Sequence, residues 1–207
     1  CEVGTLAGVA ELLNQGADHV SIALDAACER VFADNKGGSW PKKYNLLAEA
    51  AKEFPGRIAT HLIVGLGETE EEMVKTIQDL HNRGIIIALF AFTPVKGTRL
   101  EKAAQPEIGH YRRIQAARYL ITQGLTGYNK MQFAGGRISG LGLGPEKLRE
   151  LLGDGEAFRT SGCPDCNRPY YNEKPGGVIY NYPQPLTAAQ KEQALEEVSL
   201  GIGPDSL

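Results

Sequence analysis

Short apolar runs alternate with amphipathic helical patterns along the first three quarters of this chain, and this alternation constrains the fold more than any other feature. Apolar runs predict four buried strands, at residues 20–24, 58–64, 85–92 and 129–134. Periodic apolar residues between them, with Pro or Thr near the starts and Gly at the ends, predict helices of roughly 12 to 16 residues. This order favours a parallel sheet in which successive strands are neighbours.

A four-stranded parallel set is either a small doubly wound domain or part of a closed (β/α) barrel. Eight βα units need about 250 residues, whereas this chain has 207 residues and begins at a cysteine. We therefore expect residues 1–152 to be the C-terminal portion of a TIM-like barrel that starts further upstream. Residues 153–207 are rich in Gly, Pro, Asn and Tyr, and predict an irregular extension that ends in a helix.

Composition excludes several classes of partner. The net charge of −3 offers no basic surface for nucleic acid. No apolar run approaches the roughly 18 residues that a membrane span needs. Four cysteines are too few for a disulfide scaffold and favour a reducing, cytoplasmic setting. In that setting a Cys-x-x-Cys pair is more often a metal or redox site than a structural disulfide.

Such a pair is present at Cys163 and Cys166, within the string SGCPDCNRPYY. Taken alone, it is consistent with a zinc site completed by His61 or His110, with a redox or inert pair, or with part of an iron–sulfur cluster. The spacing does not choose among these three.

Other cysteine, histidine and arginine residues are expected to have no role in binding or catalysis. Cys28 is expected to be an ordinary buried thiol, and His61 a core histidine with satisfied hydrogen bonds. The basic cluster Arg112, Arg113 and Arg118 is expected to form a solvated face of a helix.

The string HLIVGLGETEEE, residues 61–72, combines a strand that ends in Gly-Leu-Gly with an acid and a helix start. Thr69 and Glu72 have the spacing of a capping box. Glycines let a ligand approach the backbone closely, and the first turn of a helix offers free N–H groups. A tight strand-to-helix turn with no ligand has the same pattern.

The complete string resembles the glycine-rich motif of radical S-adenosylmethionine enzymes, most closely the biotin synthase and lipoyl synthase branch. CEVGTL (1–6), GADHVSIALDA (16–26) and LFAFTPVKGT (89–98) extend the resemblance in register over about residues 1–140. It implies that Asp25 contacts the ribose of S-adenosylmethionine. It also implies that the pocket is shaped by Gly65, Leu66, Gly67 and Glu68, with Phe92, Thr93 and Pro94 against the adenine.

In that family a [4Fe–4S] cluster reductively cleaves S-adenosylmethionine, and the deoxyadenosyl radical abstracts hydrogen from the substrate. The Cys-x-x-x-Cys-x-x-Cys loop that holds this cluster is absent from the chain. We therefore expect the cluster ligands to lie upstream of Cys1 and the chain to be inactive alone.

Biotin synthase also holds an auxiliary [2Fe–2S] cluster through cysteines and an arginine. Cys1 matches one of those cysteines, but Ala59 and Gln132 stand at two other ligand positions. A cluster of the biotin synthase type is therefore not expected.

The tail string SGCPDCNRPYYNEKPGG resembles the paired biotin-synthase-like proteins that together make lipoyl groups in archaea and some anaerobic bacteria. This resemblance implies an auxiliary [4Fe–4S] cluster on Cys1, Cys163 and Cys166, with a fourth ligand upstream; Ser161 is a weaker candidate ligand. The neighbouring Arg159 and Arg168 are expected to lower the pKa values of the thiols.

The resemblance as a whole implies sulfur insertion into an unactivated carbon chain, in the manner of lipoyl synthase. The implied partners are an octanoyl-bearing carrier protein or peptide, a second radical S-adenosylmethionine protein, and a reductant such as ferredoxin or flavodoxin. Two alternatives stay open: another reaction of the same superfamily, such as biotin formation or methylthiolation, and a non-catalytic scaffold with a zinc knuckle.

Overall fold

The chain, described by a computed structural model over residues 3–162 and 176–199, is a mixed α/β protein. Its helices are α1 (Leu6–Asn14), α2 (Glu29–Asn35), α3 (Trp40–Glu53), α4 (Glu70–Asn82), α5 (Ile108–Thr122), α6 (Pro145–Leu152) and α7 (Ala188–Ser199). Its strands are β1 (Val20–Ser21), β2 (Ile58–Val64), β3 (Ile86–Ala91), β4 (Gln132–Ala134) and β5 (Arg137–Gly140). Single turns of 3₁₀ helix lie at Tyr128–Lys130 and Glu156–Phe158.

Strands β1, β2 and β3 form a parallel sheet in chain order, as the sequence predicts for its first three strand segments. The register places Val20 opposite Ile58 and Leu62 opposite Leu89. Over residues 3–162 and 176–199 this parallel sheet has three strands and does not close into a barrel.

Strand β1 is shorter than the predicted segment 20–24 because the side chain of Thr60 lies between the two neighbouring backbones. Its hydroxyl donates to the carbonyl of Ile22 at 2.7 Å and accepts from the amide of Leu24 at 3.1 Å. Both groups are buried, so this side chain satisfies polar atoms that would otherwise lack partners. The pairing then resumes with a parallel bridge between Asp25 and Leu62.

The prediction that residues 129–134 form a fourth parallel strand is wrong. Residues 128–130 are 3₁₀ helix, and β4 pairs in the antiparallel direction with β5, apart from the main sheet. The cause is the two-residue turn Gly135-Gly136, in which both residues have positive φ, +58° and +80°. Two such residues in succession are typical of the turn that joins the strands of a tight hairpin.

Between β1 and α3 lies the helix α2, which the sequence does not predict. Val31 and Phe32 on this helix are buried with Ala26 in a small apolar cluster, against which Trp40 and Leu66 pack. The helix is therefore held by tertiary contacts and has only seven residues, a length that gives little helical periodicity in the sequence.

The two faces of the parallel sheet differ in burial. Leu62, Val64 and Leu89 on one face are fully buried in the main core, where α1, α3 and α4 contact the strands. The opposite face carries His61, Ile63, Ile86, Ala88 and Phe90, which are half-buried. Alternation of this kind indicates a sheet that helices cover on one side.

The expected solvated face at Arg112 and Arg113 is also wrong, because both side chains are 1% exposed. The Arg112 guanidinium donates to the carbonyls of Ile179 and Tyr180 at 2.7 and 2.6 Å and to Glu197 at 2.8 Å. Helix α5 is therefore covered by the C-terminal segment and by α7 rather than by water. Arg118 is half-buried.

The predicted capping box at Thr69 and Glu72 is present, and α7 begins with a second one. The side chains of Thr69 and Glu72 exchange hydrogen bonds with each other's amides, and Thr187 and Gln190 do the same at the start of α7. Among the described helices, none combines the length and the apolar character needed to cross a membrane.

Candidate functional site

The residues implied to bind S-adenosylmethionine lie at the carboxyl ends of the three parallel strands. Asp25 follows β1, the segment 65–68 follows β2, and residues 92–94 follow β3. The strand ends surround a cavity of about 330 Å³. Its wall is formed by Asp25, Ala26, Asn35, Lys36, Ile63, Leu66, Phe90, Ala91, Phe92, Thr93 and Leu100. Sequence reasoning thus placed Asp25, Leu66, Phe92 and Thr93 at one site, where the structure brings them together.

The backbone of Asp25 is fixed against β2 in an unusual conformation. Its φ is +67°, the only positive φ of a non-glycine residue in the described chain. Its amide donates to the carbonyl of His61 at 2.9 Å, and its own carbonyl accepts from the amide of Ile63 at 2.7 Å. Asp tolerates this left-handed region better than most residues, and the two hydrogen bonds hold it there.

The carboxylate of Asp25 contacts two basic side chains. Nε2 of His61 lies 2.7 Å from Oδ1, and Nζ of Lys36 contacts Oδ2. Burial raises the pKa of Asp25, but the hydrogen bonds and charges of His61 and Lys36 outweigh burial and hold the pKa below its ordinary value of 3.8. The carboxylate is therefore ionised at neutral pH and remains an acceptor of hydrogen bonds.

The glycine-rich turn is held by hydrogen bonds from its backbone to the side chain of Glu68. The carboxylate of Glu68 accepts from the amides of Gly65 and Leu66 at 2.6 and 2.9 Å. Gly65 has φ +100°, and a Cβ added there would lie 2.9 Å from Cδ of Pro106. A glycine is needed at this position both for its backbone conformation and for this close approach.

Five amides of this region donate to partners within the protein, so these five are not free for a ligand. Besides Gly65 and Leu66, the amides of Thr69 and Glu72 are bound within the capping box, and the amide of Glu71 donates to the carbonyl of Gly136 at 3.0 Å. In this structure, Leu66 of the turn contributes to the cavity wall, while Gly65, Gly67 and Glu68 build the turn that supports it.

The segment after β3 supplies the apolar side of the cavity. Phe92 is mostly buried, and its amide donates to the carbonyl of Val64 at 2.8 Å, which ties it to the end of β2. Phe92 and Thr93 line the cavity, whereas Pro94 follows them outside its wall and is half-buried. The aromatic and aliphatic walls suit a flat, largely apolar ring system.

A second cluster, which sequence reasoning did not find, links α4, α5 and the hairpin. Glu70 is 2% exposed and pairs with Arg113 at 2.5 Å and with Nδ1 of His110 at 3.3 Å. The Glu70 carboxylate also accepts from the amide of Ile138 at 2.8 Å. Burial raises the pKa of Glu70, but these partners outweigh it and lower the pKa below its ordinary value of 4.5. No local sequence signal joins residues so far apart in the chain.

The proposed cluster ligands Cys1, Cys163 and Cys166, with Arg168, lie outside the described residues. The chain before the pair is described as far as Gly162, and it runs along the edge of β3. There the hydroxyl of Ser161 accepts from the amide of Leu89 at 3.0 Å, and a Cβ added at Gly162 would lie 2.9 Å from that of Ala88.

Arg159 and Cys28 each contact a carboxylate in the described structure. Arg159 pairs with Glu156 at 2.9 Å, so a carboxylate offsets its charge. Cys28 is half-buried rather than buried, with Sγ 3.5 Å from Glu72. Burial and the neighbouring carboxylate raise the pKa of the Cys28 thiol, which disfavours a thiolate there.

In the described part of the chain, no three His, Cys, Asp or Glu side chains meet closely enough to hold a metal ion. Both histidines considered as zinc ligands have carboxylate partners instead, Asp25 for His61 and Glu70 for His110. Comparison with protein-family models, with curated proteins and with solved structures finds no match to this chain.

Proposed function

We propose that this chain binds S-adenosylmethionine as part of a radical S-adenosylmethionine enzyme that inserts sulfur into an unactivated carbon chain. One observation carries the proposal. Asp25, Leu66, Phe92 and Thr93 are positions to which the family resemblance gives contacts with S-adenosylmethionine, and all four line one cavity. Active sites of parallel α/β proteins lie at this end of their strands.

The chemistry of the cavity suits the nucleoside half of S-adenosylmethionine. Its volume of about 330 Å³ falls within the roughly 300–1,000 Å³ typical of small-molecule sites. Leu66, Phe90 and Phe92 offer apolar surface for the adenine. The ionised carboxylate of Asp25 is an acceptor for ribose hydroxyls, the role that an acid plays at many nucleotide sites.

The half-buried face of the sheet supports the further proposal that the chain is part of a barrel. His61, Ile63, Ala88 and Phe90 project from β2 and β3 on the face opposite the main core. In a barrel the corresponding face is the interior, which additional strands enclose. The three parallel strands supply one arc of such an enclosure.

The proposed enzyme uses two iron–sulfur clusters, and this chain supplies ligands to one of them. When bound, a [4Fe–4S] cluster supplies the electron that cleaves S-adenosylmethionine, and we place its ligands upstream of this chain. We propose Cys1, Cys163 and Cys166 as ligands of an auxiliary cluster that supplies sulfur. An octanoyl group on a carrier protein or peptide is then the substrate, with a second radical S-adenosylmethionine protein and a ferredoxin or flavodoxin as partners.

Calorimetric titration tests the nucleotide site directly. We expect the chain to bind S-adenosylmethionine and 5′-deoxyadenosine, and Asp25→Asn to weaken both by about 10-fold or more, because a hydrogen bond to a charged group is worth about 1.5–3 kcal/mol. Asp79→Asn is the matched control, since Asp79 is 43% exposed and pairs only with Arg83 among the described residues. Absence of binding by the unaltered chain would contradict the proposal.

Metal analysis after anaerobic reconstitution with iron and sulfide tests the auxiliary cluster. We expect Cys163→Ala to lose iron and acid-labile sulfide, and Cys28→Ala to keep both, because Cys28 is not among the proposed ligands and its thiol contacts Glu72. Zinc in the isolated chain, with no uptake of iron, would favour the scaffold with a zinc knuckle instead.

A further inference from the structure

The Asp25 carboxylate is held from two sides by residues that belong to different elements. His61 lies in β2, and Lys36 is the residue that ends α2. Nε2 of His61 is 2.7 Å from one carboxylate oxygen, and Nζ of Lys36 contacts the other. The three side chains are 20–29% exposed, so the network lies at the border between the protein and the cavity.

Each of the two basic residues is itself fixed. His61 is joined to Asp25 a second time through its carbonyl, and its ring lies 5.0 Å from that of Phe90. Nζ of Lys36 also donates to the carbonyl of Ala23 at 2.7 Å, and it lies 6.0 Å from the ring centre of Phe32. The direction of the carboxylate is therefore set by its contacts with two side chains that are themselves held in place.

With these two contacts in place, the Asp25 carboxylate can still accept hydrogen bonds from a ligand. An ionised carboxylate has about four lone-pair sites, and His61 and Lys36 occupy one on each oxygen. One site on each oxygen is left, in the spacing that two adjacent hydroxyl groups can reach. The positive charge of Lys36 offsets that of the carboxylate, which reduces the attraction for cationic donors and favours neutral ones.

We propose that Lys36 and His61 are positioning residues that make the Asp25 carboxylate selective for a neutral vicinal diol, such as that of ribose. They act through Asp25 and determine how strongly the cavity distinguishes a nucleoside with both hydroxyls from one without them. This inference rests on the proposed nucleotide site and adds the residues that confer its selectivity.

Deletion of the diol from the ligand tests the inference. The probes are adenosine and 2′,3′-dideoxyadenosine, titrated into the full chain. We expect the unaltered chain to bind adenosine about 10-fold or more tightly than the dideoxy compound. In Lys36→Met and in His61→Leu this ratio falls toward one, because adenosine loses more affinity than dideoxyadenosine does. Lys36→Arg and His61→Gln, which keep a donor, retain part of the ratio.

The pair of ligands separates positioning from a general structural role. Damage to the cavity weakens both nucleosides together, and an equal loss would overturn the inference, as would an unchanged ratio in both variants. If either variant does not unfold cooperatively, Lys36→Ala and His61→Ala, which also remove the donor, replace them in the same titration. Failure of the unaltered chain to bind either nucleoside would instead reject the nucleotide site itself.

Discussion

Nε2 of His61 lies 2.7 Å from Oδ1 of Asp25, and the amide of Asp25 donates to the carbonyl of His61 at 2.9 Å. One residue of β2 therefore fixes both the backbone and the side chain of the acid that follows β1. This double connection keeps Asp25 at φ +67° beside the cavity.

The glycine-rich turn offers a matched pair of substitutions. Gly65 and Gly67 have φ +100° and +103°, but only an added Cβ at Gly65 meets a neighbour, Pro106, whereas one at Gly67 meets nothing within 4 Å. Gly67→Ala is expected to cost about 1–3 kcal/mol through backbone strain. Gly65→Ala is expected to cost a further 1–3 kcal/mol or so from overpacking. Urea unfolding measures both, and equal losses would contradict the close approach to Pro106.

Thr60→Val removes a hydroxyl while it keeps the shape of the side chain. The carbonyl of Ile22 and the amide of Leu24 then lose their buried partner, and we expect a loss of about 1–3 kcal/mol in unfolding free energy. Thr98→Val is the control, because the hydroxyl of Thr98 donates to Val95 at an exposed turn. A loss no larger than that of the control would refute the bridging role of Thr60.

Glu70→Gln tests the buried cluster beneath the hairpin. Glu70 and Arg113 are 2% and 1% exposed, and removal of one charge from a buried pair costs about 3–5 kcal/mol. Glu192→Gln is the control, because Glu192 and its partner Arg149 are both more than half exposed and such pairs contribute about 0–1 kcal/mol. Chemical denaturation gives both values, and similar losses would contradict the burial of the pair.

The same variant predicts a pH dependence. The pKa of Glu70 in the folded chain lies below its ordinary value of 4.5, so folding favours the ionised form. Its contribution is complete above pH 4.5 and is lost as the pH falls through the folded-state pKa. The difference in unfolding free energy between the unaltered chain and Glu70→Gln should therefore shrink in acid. A difference that grows as the pH falls would show that folding raises the pKa of Glu70 rather than lowering it.

Structural features that depend on residues close together in the sequence agree with the predictions. The capping boxes at Thr69 and Thr187 lie where their spacing indicates, and the three apolar segments pair in parallel in chain order. The approach of Asp25 to Leu66 and Phe92 also agrees with the sequence, because carboxyl ends of parallel strands share one edge.

The errors arise where a distant partner decides the outcome. The sequence around Arg112 does not indicate that its side chain is buried, because the carbonyls that bind it come from residues 179 and 180. Lys36 ends α2, a helix that the sequence does not predict, and this helix brings it to Asp25. The hairpin at Gly135 and Gly136 is different, because its two adjacent glycines are a local signal that the sequence analysis did not use.

Methyl NMR spectroscopy during titration with S-adenosylmethionine tests the central claim most directly, because it locates the ligand. The account predicts saturable shifts of the methyl signals of Ile63, Leu66 and Leu100, which line the cavity, and none for Leu12 on α1. In Asp25→Asn the same signals should shift only at higher ligand concentrations than in the unaltered chain. Shifts confined to residues away from the ends of β1, β2 and β3, or no shifts at millimolar ligand, would contradict it.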